Sequence, residues 1–283
     1  MNKPTNLILA LALSFFVGVA QAQLQTPAAS PTATIAQKVG LVDVKIEYSR
    51  PSAKGRKVMG ELVPFGELWR TGANACSKIS FSDDVTIGGT KVSKGTYSLF
   101  SIPGAQQWTI ILNKNTSLAG VDGYKPEEDA VRVTVKPETI SPRVETLTIG
   151  IANTKDDAGD IEISWENTRA TFTFTMDTDG KVMAGIKSIM SGPSGDAYYQ
   201  AAVYYLEHGK DVNQAYEWIN KSIAMNGERF WVLRQKSLME AKMNNFKGAV
   251  QTAEKSKKLA SEAKNMDYVR MNEKSIAEWS KKM

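Results

Sequence analysis

Between Lys54 and Asn74 the sequence KGRKVMGELVPFGELWRTGAN gathers side chains suited to holding an anion. From Arg50 to Lys78 stand six cations, Arg50, Lys54, Arg56, Lys57, Arg70 and Lys78, opposed only by Glu61 and Glu67. A local excess of positive charge attracts anions, and the planar guanidinium fork matches carboxylate or phosphate oxygens. Trp69, beside Arg70, offers a flat surface for stacking on a sugar or an aromatic group. Gly55, Gly60, Gly66 and Gly72 permit tight turns and close backbone approach. Lys54, Arg56, Trp69, Arg70 and Asn74 are therefore the candidate ligand site, in which Arg70 grips the anion, Trp69 stacks and Asn74 hydrogen-bonds. A structural role competes with this reading. LVPFGELW would then be a short helix or plug closing one end of a β domain, its arginines solvated or paired with glutamate.

Other chemistries lack their residues. The chain has one histidine, His208, and one cysteine, Cys76. Zinc ligation and Cys/His or Ser/His/Asp catalysis need more than that, and no metal or cofactor is expected. No dinucleotide fingerprint or phosphate-binding Walker loop occurs. Asp177-Thr178-Asp179-Gly180 begins like a calcium loop, but Ser188 stands where the closing glutamate belongs, so the segment reads as a turn. Any enzyme here would be a histidine-independent hydrolase working with paired carboxylates. Cys76 reads as a small buried side chain, and no intrachain disulfide can form.

The elements around the candidate site are strands. Val42, Val44, Ile46 and Tyr48 alternate with Asp43, Lys45, Glu47 and Ser49, the period of a half-buried strand. KISFS and VTIGGTKVS come next, with Gly88-Gly89 as a hairpin turn. TYSLFSI and QQWTIILN flank Pro103-Gly104. VRVTVK, VETLTIGIA, IEISWEN and ATFTFTM bring the total to eight or nine short strands, which predicts an antiparallel β-sandwich or barrel. KVMAGIKSIMSG leads out of the sheet. The stretch Lys54–Asn74 is too long for an idle connection and too apolar for disorder.

From Ser191 the strand period gives way to helices, with Ser194 and Asp211 as N-caps and Gly209 as a C-terminal stop. His208, beside Gly209, is placed to interact with the last helix carbonyls. Ala215 and Ala249 lie 34 residues apart, as do Ser222 and Ser256. That period is the tetratricopeptide length. Residues 198–231 and 232–265 resemble two degenerate tetratricopeptide repeats, with 267–283 as a polar capping helix; an ordinary small helical bundle is the alternative. The fold class is thus α+β and multidomain, an antiparallel β domain over 39–188 and a helical tail over 191–283.

The N-terminus has its own logic. LILALALSFFVGVA is apolar, too short for the roughly 20 residues of a spanning helix, and Ala20-Gln21-Ala22 is a cleavage signal. Residues 1–22 read as a secretory signal peptide and 23–38 as a flexible linker, which makes the protein exported, periplasmic or secreted. No membrane span is expected. The formal net charge of +5 does not demand a nucleic-acid partner, and export argues against one.

RPSAKGRKVMGELVPFGELWRTGAN, GTYSLFSIP and WTIILNK together resemble domain-of-unknown-function family 2911, found in exported bacterial proteins. The resemblance covers about Val39 to Met176 and is carried above all by Trp69 to Asn74 with Lys54 to Arg56. Family members often carry an acidic residue after Asn74 and a Trp-Gly after the Asn-Lys strand end, where this chain has Ala75 and Ala119-Gly120. An acid-dependent chemistry at that place would be missing here. The resemblance implies a fold unit, an exported context and a helical tail, and no reaction.

Three functions are expected from these residues. The first is a non-catalytic module binding a small anionic or sugar-like ligand at Arg56, Trp69, Arg70 and Asn74. The second is an adaptor whose helical tail holds a protein partner near Tyr204, Tyr205 and Trp231. The third is the hydrolase, which requires two carboxylates about 5–9.5 Å apart in a cleft.

Overall fold

The computed structural model describes residues 26–190 and 192–283. The leader expected over 1–22 lies outside the described residues. The chain forms two compact units that divide between Thr175 and Met176.

The first unit consists of two antiparallel sheets. One has six strands in the order β1 (Thr32–Val39), β2 (Val42–Ser49), β3 (Ser77–Phe81), β6 (Gly95–Ile102), β7 (Trp108–Asn113), β8 (Asp129–Val135). The other has four, in the order β5 (Thr90–Val92), β4 (Val85–Ile87), β10 (Ala158–Thr175), β9 (Glu138–Ala152). Period-two burial drives this arrangement. Val42, Val44, Ile46 and Tyr48 are buried along β2, and Ile79 and Phe81 continue the layer on β3. Across the core, Phe81 meets Phe174 of β10 at 5.5 Å between ring centroids. The Tyr48 hydroxyl accepts a hydrogen bond from the Ile149 amide at 2.9 Å. Gly88 and Gly89 both take positive φ and turn β4 into β5, a two-residue hairpin geometry that glycine favours.

Three boundaries differ from the sequence reading. Residues 32–38, read as part of a linker, pair with β2 along their whole length. This edge strand is held by its backbone ladder and buries few side chains, so it shows no period. IEISWEN and ATFTFTM, read as two strands, are one. Its pairing with β9 shifts at Glu166, which has φ +51°. Before this bulge the odd positions Ile161, Ile163 and Trp165 are buried; after it the even positions Ala170, Phe172 and Phe174 are. The irregularity reverses which parity faces inward. Finally, KVMAGIKSIMSG is largely helical. α1 (Thr178–Ile189) starts at Asp177, whose carboxylate accepts the Gly180 amide. The DTDG turn is a helix cap.

The second unit continues with α2 (Gly195–Glu207), α3 (Val212–Asn226), α4 (Phe230–Lys242), α5 (Phe246–Glu262) and α6 (Met266–Trp279). Short turns join α2 to α3 and α4 to α5, and each pair packs closely. Ala215 and Ala249 are fully buried, as are Ser222 and Ser256, so the small residues spaced by 34 positions stand where helices approach. Ser194 and Asp211 cap α2 and α3 as expected. Among the described residues, no helix is long and apolar enough to cross a membrane.

Candidate functional site

Lys54–Asn74 folds as an irregular cover held on the β unit. It is not a helix. Val58, Met59 and Val63 are buried and anchor it. The bulge on β10 supplies the key support, because Glu166 accepts the Val58 amide at 2.8 Å and the Met59 amide at 3.4 Å. Further along, Trp69 forms an antiparallel bridge with Ser101 of β6. Its amide donates to Ser101 O at 2.8 Å and its carbonyl accepts from Ser101 N at 2.9 Å. β3 ends opposite Leu99, so Trp69 takes up the row of β6 that β3 leaves free.

That bridge sets the direction of the next residues. Thr71 is fully buried at φ +51°, an outlier for a β-branched residue. Its hydroxyl meets Ser101 Oγ at 2.9 Å, and its carbonyl accepts from Ser77 Oγ at 2.7 Å. At Gly72 an added Cβ would lie 2.7 Å from Ser77 Oγ, which only glycine avoids. Strained backbone held by its surroundings concentrates at functional sites, and here it immediately follows Arg70.

The result is a pocket of about 440 Å³ whose walls include Arg56, Trp69, Arg70, Leu62, Val121 and Trp165. Three of the five residues named from the sequence, Arg56, Trp69 and Arg70, converge on it. Arg70 is one of its two cations among the described residues. The Arg70 Nε–H is buried and has no hydrogen-bond partner among the described residues. Gly120 packs beside the guanidinium, where an added Cβ would come within 3.4 Å of Nη1. Arg56 is already partly engaged, donating from Nε to Ala53 O at 2.9 Å and from Nη2 to Ser52 O at 2.8 Å. No carboxylate belongs to the pocket wall among the described residues.

Trp69 plays a different part from the one expected of a free platform. Its ring stacks on Trp165 with centroids 5.9 Å apart and meets Trp108 edge-on at 6.4 Å, while Nε1 donates to Gly72 O at 3.2 Å. It is an aromatic wall locked to its neighbours. Lys54 and Asn74 do not line the pocket. Lys54 has φ +51° and contributes its amide to Glu145 at 2.6 Å. Asn74 donates to Ser30 O and Ser49 Oγ, each at 3.3 Å, tying the cover to the start of β1.

The other cations of the stretch have structural duties. Arg50 donates to Leu147 O and Thr148 Oγ1 of β9, and Lys57 pairs with Glu61 on the surface. Cys76 is buried among Phe100, Ile111 and Leu68. Burial raises its thiol pKa, opposed by the charges of Arg70 and Lys78, so it is a poor nucleophile.

Glu145 and Glu166 are both bound by Arg143. Glu145 is held below the ordinary glutamate range, first by the Lys54 amide and then by Arg143. A general acid requires the opposite shift. No group of three or more His, Cys, Asp or Glu side chains is arranged for a metal among the described residues.

In the tail, Tyr204 lines an apolar groove of about 300 Å³ with Val182, Ile186, Ile189 and Ala201; its hydroxyl donates to Asp179 at 2.6 Å. Tyr205 and Trp231 pack instead against the helical core of Ala202, Ile219 and Met239. His208 ends α2, its ring nitrogen 3.1 Å from Tyr204 O.

Trp165, Val121, Ser30 and Glu166 escape sequence reasoning because they reach the site from distant elements. The one available signal is Trp-Glu at a point where the strand alternation of β10 breaks.

This pocket sits within a recognised family unit. The family model described as Protein of unknown function (DUF2911) matches residues 30–174, just over half of the chain, and the chain belongs to that family. The matched span begins at Ser30 and contains the whole pocket wall. No curated protein and no solved structure matches the chain.

Proposed function

We propose that this protein is an exported, non-catalytic binding module whose β unit holds a small anionic ligand in the Arg70 pocket. One observation carries the reading. Arg70 and Arg56 both line a pocket of about 440 Å³, and among the described residues its wall has no carboxylate to neutralise them. Positive charge gathered in a cleft attracts anions. The adaptor reading has weaker support, since Tyr205 and Trp231 are engaged within the helices. The hydrolase reading lacks an acid in the pocket among the described residues.

The test is a thermal-shift screen of the purified protein against organic and inorganic anions, beside Arg70→Gln. A ligand at 100 times its Kd raises stability by about 2.7 kcal/mol. The expected result is a shift in the parent that disappears in Arg70→Gln while the variant remains folded. No shift with any anion, combined with loss of folding in Arg70→Gln, would make Arg70 a structural residue.

A further inference from the structure

The same pocket constrains the body of its ligand as well as its charge, a deduction that rests on the anion-binding reading. Most of the hydrogen-bonding capacity of the wall is already spent. Arg56 has committed Nε and Nη2 to Ala53 O and Ser52 O. The Trp69 Nε1–H is committed to Gly72 O and the Trp165 Nε1–H to Glu145 O at 3.1 Å. Among the described residues, Arg70 is the other cation of the wall, and its Nε is shut away from the pocket space, which leaves its Nη groups to meet a ligand. The paired Nη groups of one guanidinium suit the two oxygens of one carboxylate. A phosphate dianion presents more oxygens and more charge than one fork satisfies.

Most of the other side chains of the wall are apolar. Leu62, Val63, Leu68 and Val121 line it together with the Trp69 and Trp165 rings, and among the described residues Ser30 brings its only side-chain hydroxyl. No Asp, Glu, Asn or Gln is present in the wall among the described residues. A polyhydroxylated ligand would bury hydroxyl groups with few acceptors, which is costly. An apolar body gains by leaving water against those side chains. The volume is in the range of pockets that enclose small organic molecules, well beyond a bare inorganic ion. We infer that the ligand is an amphipathic carboxylic acid: one carboxylate on Arg70 and an aliphatic or aromatic body against the indoles and Val121.

Calorimetric titration of the purified protein tests this with defined probes, and tryptophan fluorescence gives a second readout through the stacked Trp69–Trp165 pair. The probes are octanoate, phenylacetate, phenylacetamide, inorganic phosphate and glucuronate. Octanoate or phenylacetate should bind at least about tenfold more tightly than phosphate or glucuronate, and phenylacetate about tenfold more tightly than its neutral amide; tenfold is about 1.4 kcal/mol. The stronger of the two acids separates a fatty-acid source from an aromatic one. Arg70→Gln should erase the preference for phenylacetate over phenylacetamide. Because that variant removes a partly buried side chain, Leu62→Glu is run beside it. Leu62 is 42% exposed, so the fold tolerates the change, and the added carboxylate should weaken every acid. Phosphate or glucuronate binding as well as the amphipathic acids would overturn the ligand class and leave the Arg70 anion site standing. Equal binding of phenylacetate and phenylacetamide, or no binding by any anion, would overturn both.

Discussion

Trp69 and Trp165 stack with ring centroids 5.9 Å apart and planes inclined by 22°, joining the cover segment to the four-stranded sheet. One ring comes from an irregular stretch and the other from the bulge of a strand. Their contact fixes the pocket's aromatic wall. Aromatic pairs of this kind contribute about 0.5–1.5 kcal/mol beyond their area. A double-mutant cycle of Trp69→Leu and Trp165→Leu in urea unfolding should return a coupling in that range. Additive losses would mean that the two rings act independently.

Glu166 should be the main clamp on the cover. Glu166→Ala leaves the buried Val58 amide without its acceptor and removes one of the two carboxylate partners that Arg143 has among the described residues. The expected cost is about 1.5–3 kcal/mol, seen in chemical denaturation. Hydrogen exchange should accelerate at Val58 and Met59 and stay unchanged in the helices. Unchanged exchange at Val58 would show that the segment is held by its apolar anchors alone.

Glu145 gives the stability of the β unit a pH dependence of known sign. Its folded pKa lies below the ordinary value, chiefly through the Lys54 amide and secondly through Arg143. The unfolded chain therefore binds the proton first as pH falls, and stability that is present above the ordinary glutamate range is lost as pH drops through the folded value. Glu145→Gln should be less stable than the parent at about pH 7, and the gap should close toward about pH 3. The side chain is exposed, so the effect is small and the Arg143 part shrinks with salt. Melting temperatures of both proteins across that range check this; a gap that widens in acid would refute it.

Gly72 should tolerate no side chain while Ser77 is intact. Gly72→Ala places a methyl 2.7 Å from Ser77 Oγ and 3.3 Å from Ser49 O, and overpacking of this kind costs about 1–3 kcal/mol. Ser77→Ala alone removes the bond to Thr71 O. The double variant should be more stable than the sum of the single losses, because the clash is relieved by the deletion. Strict additivity would place the strain elsewhere, at Ser49 O.

The legible parts of this protein are those written in local pattern. Period-two burial announces β2, Gly88-Gly89 announces its hairpin, and Ser194 and Asp211 announce their helices. Arg56, Trp69 and Arg70 can be grouped because they share one basic stretch with too many apolar anchors to be idle. The other half of the pocket cannot be read this way. Val121, in a loop, and Trp165, on β10, share the pocket with Arg70 only because the fold gathers segments far apart in the chain. Lys54 and Asn74 look like ligand residues by type, yet the Lys54 amide and the Asn74 bonds to Ser30 and Ser49 act on the backbone's path. Thr32–Val39 carries no period because an edge strand can be secured by its ladder alone. Thr178–Ile189 is masked by an Asp-Thr-Asp-Gly start that suits a turn as well as a cap.

The irregular residue at Glu166 also decides what β10 can bury. Ile161, Ile163 and Trp165 are buried on one parity, and Ala170, Phe172 and Phe174 on the other. In a regular strand Trp165 and Ala170, five positions apart, would face opposite sides, and one of those trios would stand in water. The residue that takes φ +51° between them also holds the Val58 amide through its carboxylate. The burial of β10 and the anchoring of the cover therefore meet at one position.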